Sequence, residues 1–169
     1  MANKRKEFSK IYDQYINKIY RFVFLKVSSE EVAQDLCSET FLRGWASFNS
    51  EEKIENCQAF LYTIARNLVT DYYREKGRTQ VVSIENISIV DPVQGVEEKM
   101  ALKSDLEQVK LVLANLNEDY QNVIIWHYLD DLPIPEVAKM LDKSESTTRV
   151  TLHRALQALK NELSYIQTA

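Results

Sequence analysis

The chain has 169 residues, a formal charge of −4, and only three glycines and three prolines. That length holds one large domain or two small helical ones, and so few turn residues exclude a sheet-rich fold. The acidic balance excludes a protein that coats nucleic acid by bulk attraction, so any such binder must gather its cations locally or be delivered by a partner.

Residues 5–27 read as a first helix. Phe8, Ile11, Tyr12, Tyr15, Ile19, Phe22 and Val23 recur at helical spacing on its buried side. Ser28 or Ser29 caps a second helix, with Glu30 and Glu31 in its first turn, where the helix dipole favours negative charge. Its apolar face is Val32, Ala33, Leu36, Thr40, Phe41 and Leu42, ending near Gly44. Its polar face carries Gln34, Asp35, Ser38, Glu39 and Arg43, which by composition alone is a solvated face.

A polar loop, Asn49 to Asn56, leads to a third helix, CQAFLYTIARNLVTDYYREKGR. Leu61, Ile64, Ala65, Leu68 and Tyr72 share its buried side. The opposite side is Thr63, Arg66, Asn67, Thr70, Tyr73 and Arg74, continued by Lys76 and Arg78 around Gly77. Cations, an amide and an aromatic interleave there. Unpaired bases offer faces to stack on and edges to hydrogen-bond, and phosphates want cations, so the mixture suits single-stranded nucleic acid. An ordinary solvated helix is the equal alternative.

The helical pattern breaks between Thr79 and about Lys103, where acids outnumber bases. This reads as a linker between a domain at 1–78 and another at 104–169. Val81, Val82, Ile84, Ile87, Ile89 and Val90 make it too apolar for a free coil. It is expected to lie along another protein, with a short strand pair as the alternative. From its end onward, Leu102, Leu106, Val109, Leu113 and Leu116 form a stripe. Asn117 caps a helix carrying Val123, Ile124, Trp126 and Tyr128, and His127 reads as a partly buried core residue.

The last stretch runs LDDLPIPEVAKMLDKSESTTRVTLHRALQALKNEL. Ile134, Val137, Ala138 and Leu141 share one helical face, and Pro133 and Pro135 fit only the first turn. After Asp142-Lys143, Ser144 or Ser146 caps a final helix that buries Thr148, Leu152, Ala155, Leu156, Leu159 and Leu163. Two helices joined so tightly make a helix-turn-helix. Outward lie Ser146, Thr147, Val150, Arg154 and Gln157, with Arg149 and Thr151 on the flanks and His153 nearer the core edge. Short polar groups at the helix start and cations further on suit the major groove, and Val150 suits a thymine methyl. A helical hairpin with a solvated face is the alternative.

The whole is therefore all-α, two small helical domains joined by a linker, the second a four-helix region ending in the helix-turn-helix. No apolar run reaches the roughly 18 residues of a membrane span, so no membrane contact is expected. MANKRKEFSK runs into no apolar core, which argues against a secretory signal. Cys37 and Cys57 are expected to stay reduced, pointing to the cytoplasm. With His127 and His153 they show no metal-ligand spacing. No metal, cofactor or catalytic constellation is expected.

DLCSETFLRGW (35–45), FLYTIARNLVTDYYREKGR (60–78) and the stretch from Leu116 to Leu163, in that order, resemble the extracytoplasmic-function sigma factors, small two-domain initiation subunits of bacterial RNA polymerase. The resemblance implies roles. Asp35, Ser38, Glu39 and Arg43 would dock on the clamp helices of the largest polymerase subunit, with the flap of the second subunit as a further partner. Thr63, Arg66, Asn67, Thr70, Tyr73, Arg74, Lys76 and Arg78 would open and hold the minus-ten element, Asn67 near the pocket for a flipped non-template base. Ser146, Thr147, Arg149, Val150, Thr151, Arg154 and Gln157 would read the minus-thirty-five duplex. The linker would thread the polymerase interior, and an anti-sigma factor would mask the protein when idle. This chain departs from the family at Ser38, where glutamine is usual, and at Phe60, where tryptophan is common. It also lacks the usual turn glycine around Asp142-Lys143, and a cation at Thr151. A free-standing helix-turn-helix regulator and a helical adaptor that binds only protein are the competing readings.

Overall fold

The computed structural model describes residues 2–27, 29–50, 52–76, 105 and 107–168, and among them all regular structure is helical. Contacts divide the chain into two units, Met1–Ile89 and Val90–Ala169. The linker expected over 79–103 lies outside the described residues.

In the first unit, α1 spans Ala2–Phe24. It stops short of the expected end because the backbone turns there, with the Lys26 and Val27 amides both donating to the Val23 carbonyl at 3.0 Å. Ile19, Phe22 and Val23 are fully buried. Tyr12 is a correction, since it lies at the rim with its ring edge-on to Phe41 at 4.8 Å. Ser29 is the cap of α2 (Glu30–Asn49), accepting from the Val32 amide at 3.1 Å. Gly44 does not end the apolar face. It is buried, and a Cβ there would stand 2.8 Å from Leu61 Cδ2, so its missing side chain lets α2 approach α3. Beyond it Phe8 meets Trp45 at 5.3 Å and Phe48 at 5.6 Å. Asn56 opens α3 (Cys57–Lys76) by accepting from the Ala59 amide at 3.0 Å. Leu61, Tyr62, Ala65 and Leu68 form its buried face, and Tyr62 packs edge-on to Phe22 at 5.4 Å. Each large side chain so buried contributes roughly 1.5–3 kcal/mol.

In the second unit, α4 covers 107–114 and buries Val112 and Leu113, while Val109, expected in the buried stripe, lies on the surface. Leu102 and Leu106 lie outside the described residues. Asn117 caps α5 (Glu118–Val123), its side chain accepting from the Tyr120 amide at 2.9 Å. The chain then widens into a π-helical turn, Ile124–Leu129, and the Asp130 amide reaches back five residues to the Ile125 carbonyl. Trp126 stays buried. Tyr128 does not, at 61% exposed, and it borders an apolar cleft with Ile124, Leu129, Leu159 and Leu163. His127 is half-buried, as read from the sequence. Its Nδ1 lies 2.8 Å from the Leu132 carbonyl, which can only accept, so Nδ1 is the donor.

Pro133 stands at the N-cap of α6 (Ile134–Leu141), with Pro135 in its first turn. Asp142 ends α6 in the left-handed region, φ 55° and ψ 47°. The Lys143 amide then bonds the Ala138 carbonyl at 3.0 Å, a closure that a glycine more often supplies. Ser144 opens α7 (Glu145–Thr168), its Oγ accepting from the Thr147 amide at 3.1 Å. Thr148 and Ala155 are fully buried, whereas Leu163 is partly exposed.

Candidate nucleic-acid interface

The two units carry separate surfaces. In the first, α3 sets Thr63, Arg66, Asn67, Thr70 and Arg74 along one side, spaced three, one, three and four apart. Asn67 and Arg74 are exposed, and Thr63, Arg66 and Thr70 are half-buried. Thr63 donates its hydroxyl to the Ala59 carbonyl of its own helix at 2.9 Å, so it offers a lone pair outward rather than a proton. Arg74 lies 3.9 Å from Asp71, a loose pair with both side chains mostly in water. Lys76 sits 5.0 Å over the Tyr72 ring. Arg78 lies outside the described residues.

Tyr73 is more committed than its place in the pattern implied. Its hydroxyl donates to the Lys26 carbonyl in the turn between α1 and α2, and its ring meets Tyr72 edge-on at 5.4 Å. It remains 43% exposed, which leaves part of the ring for an incoming base. Burial pushes its pKa up, which keeps the hydroxyl a donor.

On α2, Asp35 and Ser38 are exposed, and Arg43 Nε donates to Glu39 Oε1 at 2.9 Å. Sequence reasoning assigned Leu42 to the buried face. Leu42 is instead 63% exposed, because Phe41 and Thr40 already fill the core beside it. It stands seven residues after Asp35 and four after Ser38, and so shares their face. That spacing was the signal available in the sequence.

In the second unit, α7 points Ser146, Thr147, Val150, Arg154 and Gln157 outward, all exposed, with Val150 at 47%. Arg149 pairs with Glu145 one turn back at 3.5 Å. Two sequence placements are corrected. His153 is exposed rather than near the core. Thr151 is only 8% exposed, turned inward, with its hydroxyl donating to the Thr147 carbonyl at 2.8 Å. Direct base contact from Thr151 is therefore disfavoured, while the small exposed groups before it leave room for close approach. Lys143, in the turn, was not singled out by the pattern. Its Nζ lies 2.6 Å from Asp119 Oδ2.

Both cysteines are free. Burial pushes the Cys37 thiol up to about 11 and raises Cys57, so neither is poised as a nucleophile. Among the described residues, no group of three His, Cys, Asp or Glu side chains is placed to hold a metal, and no helix is long and apolar enough to cross a membrane.

Residues 11–79 match the family model of Sigma-70 region 2, and residues 106–159 that of Sigma-70, region 4. The chain is 29% identical over 164 residues to the ECF RNA polymerase sigma factor BldN of Streptomyces coelicolor, which covers 94% of this chain but 61% of that protein. It is 30% identical over 159 residues to the RNA polymerase sigma factor YlaC of Bacillus subtilis, covering 91% of this chain and 90% of that one. A co-crystal structure of the sigma factor RpoE in complex with the anti-sigma factor NepR from Bartonella quintana is similar at a TM-score of 0.75 and 25% identity, over 94% of this chain and 98% of RpoE.

Proposed function

This chain belongs to the extracytoplasmic-function sigma factors of the sigma-70 family, and from that premise we propose how its surfaces divide the work of promoter recognition. The α2 face with Asp35, Ser38, Glu39, Leu42 and Arg43 docks on the clamp helices of the largest subunit of core polymerase, and the second unit meets the flap of the second subunit. The α3 face captures the non-template strand of the minus-ten element. The outward row of α7 reads the minus-thirty-five element as duplex. The segment over 79–103 threads the polymerase interior between them. The protein works where the polymerase works, in the cytoplasm, as a specificity subunit with no chemistry of its own.

Energetics make this division workable. Opening duplex costs about 1.4 kcal/mol per stacked step. Holding one base on an aromatic or guanidinium offsets roughly 1–3 kcal/mol. A few such contacts on one strand therefore stabilise a short open segment without any catalytic step. The net charge of −4 fits a protein that grips promoters when polymerase delivers it.

The observation that carries the reading is the pair of outward faces, one in each unit. One mixes cations, amide and aromatic, and the other sets short polar groups ahead of Arg154. RpoE is held by an anti-sigma factor in its complex, and we propose that this chain has such a partner too. A free-standing helix-turn-helix regulator is not favoured, because residues 11–79, ahead of the helix-turn-helix unit, match Sigma-70 region 2.

The test is run-off transcription with purified sigma-free core polymerase on a library of upstream regions from the source genome. Discrete transcripts sharing two spaced sequence elements are expected. A library that yields none with active polymerase refutes the reading.

A further inference from the structure

Beside the outward row of α7 lies a cleft of about 470 Å³. Lys143, Thr151 and Arg154 line it from the helix-turn-helix, and Glu118, Asp119 and Tyr120 from α5. Arg154 belongs both to this cleft and to the outward row, so the cleft borders the surface proposed to enter the major groove. Within it the Lys143 ammonium lies 2.6 Å from the Asp119 carboxylate, with the two side chains 33% and 45% exposed.

A helix seated in the major groove brings its flanks against backbone phosphates, and contacts there set register rather than read sequence. This flank presents two cations and two acids. In the free protein Asp119 occupies the Lys143 ammonium. An exposed ion pair contributes little and opens at small cost. A phosphate offers Lys143 a full charge, and releases counterions when it is neutralised. Asp119 competes for the same ammonium and repels the same phosphate.

We infer that Lys143 exchanges Asp119 for a backbone phosphate of the upstream duplex, and that Asp119 thereby acts as a brake on promoter affinity. Lys143 is then a phosphate contact, and Asp119 a positioning residue that acts through it. The inference rests on α7 being the duplex-reading helix.

The test uses holoenzyme reconstituted from core polymerase and the full chain. Its probe is a fluorescent duplex bearing the upstream half of a promoter recovered from the run-off library. If no promoter is recovered, the functional reading falls and this inference with it. Lys143→Ala should weaken binding and make the slope of log K against log salt shallower by about 0.9, one phosphate's worth. Its deficit should therefore shrink by roughly threefold between about 50 mM and about 200 mM salt. Lys143→Arg should restore both affinity and slope, which a merely structural role for the stem would not. Asp119→Asn should tighten binding in the wild-type background and give a smaller gain in the Lys143→Ala background, where only the direct repulsion of the phosphate is relieved.

Unchanged affinity and slope in Lys143→Ala overturns the exchange. So does an Asp119→Asn gain of equal size in both backgrounds, which is bulk charge removal. Arg154→Ala separates the two levels. If it weakens binding and Lys143→Ala does not, only the exchange fails. If neither weakens binding, α7 is not the reading helix.

Discussion

Asp142 holds the backbone where an L side chain crowds the following carbonyl oxygen, and it places a carboxylate against the carbonyl end of α6. Both effects disfavour the turn. Asp142→Gly removes both and adds only unfolded-chain entropy, so it should stabilise the second unit by roughly 0.5–1 kcal/mol. That corresponds to a melting temperature higher by about 2–8 °C in a unit of this size. Thermal unfolding followed by circular dichroism checks it, and a variant that melts lower would show that Asp142 makes a contact worth more than its strain. At Tyr73 a single side chain serves both the fold and, on the proposed reading, the DNA, and two substitutions separate them. Tyr73→Phe loses the bond to the Lys26 carbonyl, about 1 kcal/mol of stability, and keeps the ring. Tyr73→Ala loses both. Permanganate footprints of the opened promoter should survive in the first and fade in the second. Equal fading in both would assign Tyr73 to holding α3 against the α1–α2 turn.

At the scale of elements, what was legible in the sequence was what is decided locally. Ser29, Asn117 and Ser144 cap their helices because a short side chain and a free amide lie within three residues of each other. The tight helix-turn-helix followed from Pro133, Pro135 and the polar break after Leu141. Two placements failed. Leu42 was read inward from its apolar neighbours, but which of adjacent apolar residues enters the core is decided by α1 and α3. Thr151 was read as surface, yet its hydroxyl satisfies itself on the preceding turn, which makes it burial-compatible. The packing of α1 on α2 and α3 carries its own prediction. Burial pushes the Cys37 thiol from 9.0 up to about 11 and the Tyr20 hydroxyl from 10.0 up to about 12, and it also raises Tyr15, Tyr62 and Tyr73. Each folded value exceeds its unfolded one, so the folded state holds these protons longer. Their contribution is complete below the unfolded values and is lost as pH rises through the folded ones. The melting temperature of the first unit should therefore begin to fall near pH 9.0, where unfolded Cys37 ionises. Cys37→Ala should flatten the early part of that fall. A melting temperature constant from about pH 8 to about pH 11 would contradict the burial of these groups.

At the scale of the whole molecule, two modest grips act on one promoter because polymerase holds both. Linked sites raise each other's effective concentration, so neither surface has to bind tightly alone. Docking and DNA reading then fail in different ways. Leu42→Asp places a charge in the α2 face without disturbing the core, since Leu42 is already largely in solvent. It should weaken binding to core polymerase by roughly tenfold, the scale of one interface anchor, with an unchanged melting temperature. Transcription should drop at every promoter by the same factor and return when the variant is supplied in excess, because only assembly is impaired. Arg154→Ala should behave oppositely. Assembly stays normal, excess protein restores nothing, and the loss varies among promoters if Arg154 reads a base edge or is uniform if it holds a phosphate. Competition of each variant against labelled wild type for core polymerase, paired with transcription at several promoters over a concentration series, resolves the two patterns. If excess protein rescues both variants equally, Arg154 serves assembly rather than DNA. If it rescues neither, the α2 face does more than dock.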